Sequence, residues 1–244
     1  MSEQHYFKFS NLVVAVPLLA VISIWAVYWM ELKFQVNLNV YGVYPRTFKG
    51  LRGVFFSPFI HSSLKHLYNN TIPLALLTAA LFYFYRTVAW KILLWGMLLS
   101  GLFTWAIGRP SYHIGASGLI YVLASFIFFK GVFSKYYRLV ALSLVIVFIY
   151  GSLLWYIFPV KEGISWEGHL GGFLSGLLLA VLMQTDFPEP KKYAWEKEDF
   201  NAEDDAFLKH FDADGNFIEN PLGENPDEKN LEITYHYKKR DTER

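Results

Sequence analysis

The feature that most limits what this chain can fold into is the length of its uncharged apolar runs. From Leu12 to Met30 no charged side chain interrupts the sequence. About 20 mainly apolar residues in a helix cross the hydrocarbon of a bilayer, and a helix satisfies its own backbone polar groups there. Pro17 lies near the start of this run, where it is tolerated. The same length criterion predicts further spans at 64–85, 89–107, 115–129, 139–158 and 166–184. The expected fold is therefore all-α and polytopic, a bundle of six transmembrane helices. No convincing internal repeat is present.

Charge divides the chain at Asp186. Residues 1–185 carry 13 Lys and Arg against 4 Asp and Glu, and residues 186–244 carry 9 against 17. The net charge near zero is a cancellation between a basic membrane body and an acidic tail. The expected organisation is a short N-terminal segment (1–11), a membrane domain (12–185) and a soluble, partly disordered acidic tail (186–244). Asp212-Ala213-Asp214-Gly215 in the tail hints at a calcium loop, but the remaining ligands are missing and calcium is set aside. The loop at 31–63 is long, basic and aromatic, with Lys33, Arg46, Lys49 and Arg52 among Phe34, Tyr41, Phe48 and Phe55. Such a mixture suits the headgroup level of a membrane. Basic residues are nearly balanced between the two faces, and the short loops favour cytoplasmic termini only slightly. The first run ends at Glu31-Leu32-Lys33 rather than at a small-residue cleavage site, so it reads as a span and not a signal peptide. The absence of cysteine excludes disulfides and thiolate chemistry.

Polar side chains inside spans are costly and raise a functional question by default. They are few here: His61, His66 and Asn70 at the start of span two, Ser117 at the start of span four, His169 at the start of span six. His66 and Asn70, four apart, share one helix face. Spans two, four and six run in the same direction, so these clusters lie at one depth whatever the absolute orientation. Gly172 and Gly176 form a face of small residues that lets two membrane helices approach closely, and Gly115 and Gly118 flank Ser117 in the same way.

A serine hydroxyl is a weak nucleophile until a neighbouring base takes its proton. His169 is the candidate base. An acyl-transfer step builds an oxyanion that needs donors already in place. His66, Asn70 and the free N–H of Ser117 at a helix start are the candidate donors. Glu167 is the nearest carboxylate, but two residues in one helical turn rarely face each other, so a Ser–His dyad is favoured over a triad. Each feature alone has a plainer reading. A serine between glycines in a membrane helix is more often a packing site, and a lone histidine more often bonds a carbonyl. For His61, His113 and His5 that plainer reading is the preferred one. The joint occurrence on three parallel helices is what favours chemistry.

These residues resemble the rhomboid family of intramembrane serine proteases. Gly115-Ala116-Ser117-Gly118 is similar to the family's Gly-x-Ser-Gly motif. His66 and Asn70, preceded by His61, resemble its His-x-x-x-Asn element, and His169, Gly172 and Gly176 its His-x-x-Gly-x-x-x-Gly element. The resemblance covers roughly residues 10–185 and points to a bacterial subgroup. It implies a serine-type endopeptidase with Ser117 as nucleophile, His169 as base and then acid, and His66 and Asn70 in the oxyanion hole. Tyr121 would pack on the His169 ring, and Trp155 and Phe158 on span five would be gate residues. The implied partners are single-pass or polytopic transmembrane protein substrates in the lipid bilayer of a bacterial inner membrane, with no nucleic acid, no metal and no cofactor. One departure stands out: the Trp-Arg pair that many members carry in the first loop is missing as a contiguous pair. Three other readings remain on the sequence alone. They are a client-binding pseudoprotease, a transporter built on glycine-interrupted helices, and a zinc protease using His61, His66 and His169, for which no carboxylate-bearing motif stands in the sequence.

Overall fold

The structure, a computed structural model, describes residues 7, 9–185, 193–212 and 214–219. The chain divides into two compact units, residues 1–189 and 190–244. In the first unit the order is α1 (Leu12–Phe34), α2 (Leu64–Phe84), α3 (Ala89–Ile107), α4 (Ser117–Ser134), α5 (Tyr137–Tyr150) and α6 (Trp166–Leu182). Among the described residues there are only isolated β-bridges and no strands. The all-helical membrane bundle expected from the apolar runs is what forms.

Several spans differ from their sequence-based bounds. Among the described residues, five stretches are long and apolar enough to cross a membrane: α1, α2, α3, α4 and the stretch Tyr137–Ile157. The sixth, α6, is apolar but shorter, at 17 residues. Helix α5 stops at Tyr150, and the chain continues as a 3-10 segment from Gly151 to Ile157. Pro159 follows and cannot continue a helix ladder. Helix α4, expected to be short, runs on to Ser134 and ends with Lys135 in a left-handed conformation.

Helix α4 is the middle of the bundle. Val122, Leu123, Phe126 and Ile127 on it are fully buried, against Leu67, Leu77 and Leu81 of α2 and Ile92 of α3. Lipid is as apolar as leucine, so close packing and internal hydrogen bonds hold such helices together rather than the hydrophobic effect. The α4–α6 contact shows how. A Cβ at Gly172 would collide with the carbonyl of Gly118, and one at Gly176 with the carbonyl of Val122. Only glycine allows those backbones so near. Ser125 Oγ then donates to the carbonyl of Phe173 at 2.8 Å, and Lys130 Nζ donates to the carbonyls of Ala180 and Met183, holding the C-terminal end of α6. At the opposite end of these two helices lies the cluster of polar residues.

The long loop is ordered as short helical turns, Asn39–Tyr41, Phe48–Leu51, Gly53–Phe56 and Ser57–Phe59. It is tied to α3 by Arg46, whose guanidinium donates to the carbonyls of Ala106 (3.2 Å) and Gly108 (2.9 Å), and by Trp105, whose indole donates to the carbonyl of Thr47 at 2.9 Å. The Ala106 and Gly108 carbonyls are at the C-terminal end of α3, where a helix leaves its carbonyls without partners of its own. A tryptophan and an arginine thus do fasten this loop, but they come from two separate parts of the chain.

In the second unit, residues 193–212 and 214–219 form short turns, one of them closed by Asp212. Its carboxylate accepts from the backbone N–H groups of Asp214 (3.0 Å) and Asn216 (2.8 Å). The rest of the expected tail, and residues 1–6 and 8 of the N-terminal segment, lie outside the described residues.

Candidate active site

Ser117 is the first residue of α4, after Gly115 at φ +105° and Ala116. Gly115 in that left-handed region is a position that side chains rarely adopt. A Cβ there would also lie 2.6 Å from His66 Nε2. Its function therefore differs from the expected one of letting helices approach. It makes the turn into α4 and leaves room for the His66 ring. Gly118 does lie between helices, facing Ser100 of α3 and the carbonyl of Gly168 of α6.

Ser165 caps α6, accepting from the N–H of Gly168 at 3.3 Å. His169, buried in the first turn, presents Nε2 to Ser117 Oγ at 3.0 Å. Its Nδ1 meets the carbonyl oxygen of Tyr156 at 2.9 Å. A carbonyl only accepts, so Nδ1 carries the hydrogen and the neutral ring has Nε2 free as an acceptor. The Ser117 hydroxyl then donates to it. The Tyr121 ring lies flat on the imidazole, with centroids 4.4 Å apart and planes 13° apart, and its hydroxyl donates to the carbonyl of Leu153 at 2.6 Å.

On the other side of Ser117 stand His66 and Asn70 of α2. Asn70 is buried, and its Nδ2 is an unpartnered donor. Buried amides without a partner are uncommon and call for an explanation. His66 Nδ1 is 3.4 Å from Ser62 Oγ, and its Nε2 edge faces Gly115. The first-turn N–H groups of α4 have no partners within the helix. His66 Nε2 and Asn70 Nδ2 both lie against Gly115, two residues before Ser117, where a Cβ would be 2.6 Å and 3.5 Å from them.

His61 is buried and ties the loop to the serine turn. Its Nδ1 faces the carbonyl of Phe59 at 3.3 Å, and its Nε2 accepts from the N–H of Ala116 at 3.4 Å. Burial, and then the neighbouring His66, push its pKa down to about 4, which suits a ring that must accept at one nitrogen. This is the plainer reading of a histidine bonding the backbone, at a position next to Ser117.

A second polar cluster was not read from the sequence as part of the site. His113, expected to be an unremarkable loop residue, is buried. Its Nε2 donates to the carbonyl of Arg109 at 3.1 Å, and its Nδ1 accepts from Ser165 Oγ at 2.6 Å. Burial lowers its pKa too, in keeping with a neutral ring. Glu167 is fully buried and accepts from the backbone N–H of Arg109 at 3.1 Å, with Arg109 Nε at 3.6 Å. The α3–α4 loop and the start of α6 are thereby held together. Only Oε1 of the Glu167 carboxylate meets Arg109; Oε2 is buried without a hydrogen-bond partner. The signal available in the sequence was Ser165, an N-cap residue ahead of an apolar run.

Ser57, Ser100, Thr104, His113, Ser165 and Gly168 line a cavity of about 30 Å³ beside Ser117. Trp155 and Phe158, the expected gate residues, are exposed, at 70% and 56%. His5 lies outside the described residues.

The family model described as Rhomboid domain matches residues 49–185. An uncharacterized protein of Mycobacterium tuberculosis (strain H37Rv) is 37% identical over 184 residues, covering 70% of this chain and 75% of that one. An uncharacterized protein of Mycobacterium bovis matches to the same extent, and one of Mycobacterium leprae is 35% identical over 155 residues, 59% of this chain and 60% of its own. The matched region contains every side chain of the cluster around Ser117. The chain belongs to the rhomboid family, known for intramembrane serine proteases that act on transmembrane substrates, and is a multi-pass integral membrane protein.

Proposed function

We propose that this protein is an intramembrane serine endopeptidase that works with a Ser117–His169 dyad. The observation that carries the reading is the 3.0 Å contact between His169 Nε2 and Ser117 Oγ, with Nδ1 already committed to a carbonyl. In the first step Ser117 Oγ attacks the scissile carbonyl and its proton passes to Nε2. The negative charge grows on the carbonyl oxygen, where His66 Nε2–H, Asn70 Nδ2–H and the Ser117 N–H are its donors. This gives the unpartnered Asn70 amide a purpose: its acceptor is the transition state. The imidazolium then returns the proton to the leaving amine. A water, deprotonated by Nε2, attacks the acyl ester; the bond to Ser117 Oγ breaks, Oγ takes the proton back from Nε2, and the acid is released. The polar cavity beside Ser117 is about the size of one water and has several partners for it.

On this reading α6 completes the membrane domain as a sixth span, both termini face the cytoplasm, and the protein resides in a bacterial inner membrane. The substrates are transmembrane proteins cut near the outer leaflet at a small residue in an unwound stretch. The domain organisation follows the same plan, with an acidic soluble tail after residue 185. Cleavage of a model transmembrane substrate in liposomes tests it. Ser117→Ala and His169→Ala each abolish product while the folded state survives, and full activity in Ser117→Ala refutes the mechanism.

A further inference from the structure

Serine–histidine pairs commonly have a third group that fixes the imidazole's tautomer and direction. Here the neighbouring carboxylate, Glu167, is not that group, because both ring nitrogens of His169 are taken, by Ser117 Oγ and the Tyr156 carbonyl. The geometry points to the backbone carbonyl of Tyr156, on the 3-10 segment Gly151–Ile157, as the positioning group for His169. Docking of that segment is then a condition for catalysis. The inference rests on the dyad reading and adds to it a third member.

Three observations converge on it. First, the carbonyl of Tyr156 is left free by the sequence. In a 3-10 helix the carbonyl of residue i accepts from the N–H of residue i+3. For Tyr156 that residue is Pro159, which has no N–H. The next N–H in line, that of Val160, is bonded to the carbonyl of Phe158 at 2.8 Å. The Tyr156 oxygen accepts from His169 Nδ1 instead. Second, residues three apart eclipse in a 3-10 helix, so the carbonyls of Leu153 and Tyr156 emerge on one side. The Leu153 oxygen takes the Tyr121 hydroxyl, and Tyr121 stacks on the imidazole. One carbonyl sets the rotation of the ring and the other holds the ring it lies on. An α-helical continuation would have separated the two. Third, a 3-10 run of seven residues is longer than usual and marks a hinge or strain. No residue of this segment is buried, so little packing holds it in place.

The consequence is a coupling of access to chemistry. If the segment swings outward, both bonds break together and the imidazole loses its orientation. The site is competent only with the segment in place.

The test replaces Ile157 by its α-hydroxy acid analogue, which turns the Tyr156 carbonyl into an ester, a weaker acceptor. The matched control makes the same change at Phe158. It removes the 3.4 Å bond from the Phe158 N–H to the Trp155 carbonyl and leaves the Tyr156 carbonyl an amide. Both proteins are compared with the wild type in liposomes by cleavage kinetics, by the rate of fluorophosphonate labelling of Ser117, and by the imidazole 15N spectrum of His169. The ester at 157 is expected to lower kcat and the labelling rate about tenfold, the worth of one hydrogen bond, with KM unchanged. It also erodes the Nδ1–H tautomer, while the control stays near wild type. Pro159→Ala, which supplies a competing N–H, lowers kcat in the same direction. Equal effects of the two esters, or a wild-type ring with its proton on Nε2, overturn the proposal. A folded wild-type protein that does not label at Ser117 at all overturns the dyad reading, and this proposal with it.

Discussion

Helices α4 and α6 on one side, and α5 with its 3-10 end on the other, are built on opposite principles although all are apolar. The first pair meets through glycines, with Gly118, Gly172 and Gly176 placing backbone against backbone, and is pinned at one end by Lys130 and at the other by the contact of Ser117 with His169. Helix α5 buries only Leu139, Ser143 and Ile146, and Phe148 on it is 92% exposed. Yet both regions contribute to one imidazole: α6 carries the ring, and the end of the α5 stretch carries its hydrogen-bond acceptor. The difference teaches where rigidity is needed. The distance between Ser117 and His169 is set by the tightly packed pair, and the readiness of the ring is set by the loosely held segment.

The sharpest way to break this comparison is to spoil the tight pair. Gly172→Leu puts a side chain where the Gly118 carbonyl stands. Cleavage and labelling should vanish, with helix dissociation seen as a large loss of resistance to unfolding in detergent. If the variant keeps full activity, α4 and α6 are not the rigid frame.

Asn70→Ala comes next. It removes a donor to the developing oxyanion, and kcat should fall about 10² to 10³-fold with KM little changed. Because Asn70 Nδ2 has no hydrogen-bond partner in the resting fold, its removal should cost little stability, which a parallel unfolding measurement checks. A loss of stability without a loss of kcat would make Asn70 structural.

The fold's dependence on pH is a third probe. The His61 pKa is depressed to about 4 from an ordinary 6.5. The unfolded state therefore binds the proton first as pH falls. The His61 contribution to stability is full above 6.5 and is lost progressively as pH falls from 6.5 toward 4. His61→Phe should flatten that part of the unfolding-versus-pH curve, and an unchanged slope would remove His61 from the account.

Smaller still is Tyr121→Phe, which keeps the ring on His169 and deletes only the bond to Leu153. A drop in kcat of about threefold to tenfold is expected, in line with one hydrogen bond. The smallest effect is on the lipid side of α5. Phe148→Ala changes a residue that packs on little within the protein, and activity in liposomes should stay within about twofold, as for most surface changes.

How much of this was legible beforehand follows the same division. The apolar runs disclose the helices because length and lack of charge are properties of single segments. Ser117, His66, Asn70 and His169 are legible because polar side chains at equal depth in parallel helices have few plain explanations. The glycines of α6 disclose close packing in the same way. The carbonyls of Tyr156 and Leu153 were not legible, since every residue has one and no side chain marks which is used. Pro159 was the only trace, and it read as the end of a helix rather than as the reason an oxygen is free. For His113 and Glu167 it is the partners that were not legible, since Ser165 is distant in the chain from His113 and Arg109 from Glu167. The tie between Arg46, Trp105 and the ends they cap was hidden for the same reason.

The most direct test of the central claim is active-site labelling of the intact protein in liposomes with a fluorophosphonate, followed by mapping of the modified residue. The account predicts a single adduct on Ser117 in the wild type, and none in His169→Ala although Ser117 is still present. An adduct that persists in the folded His169→Ala protein at the wild-type rate, or that maps to another serine, would contradict it.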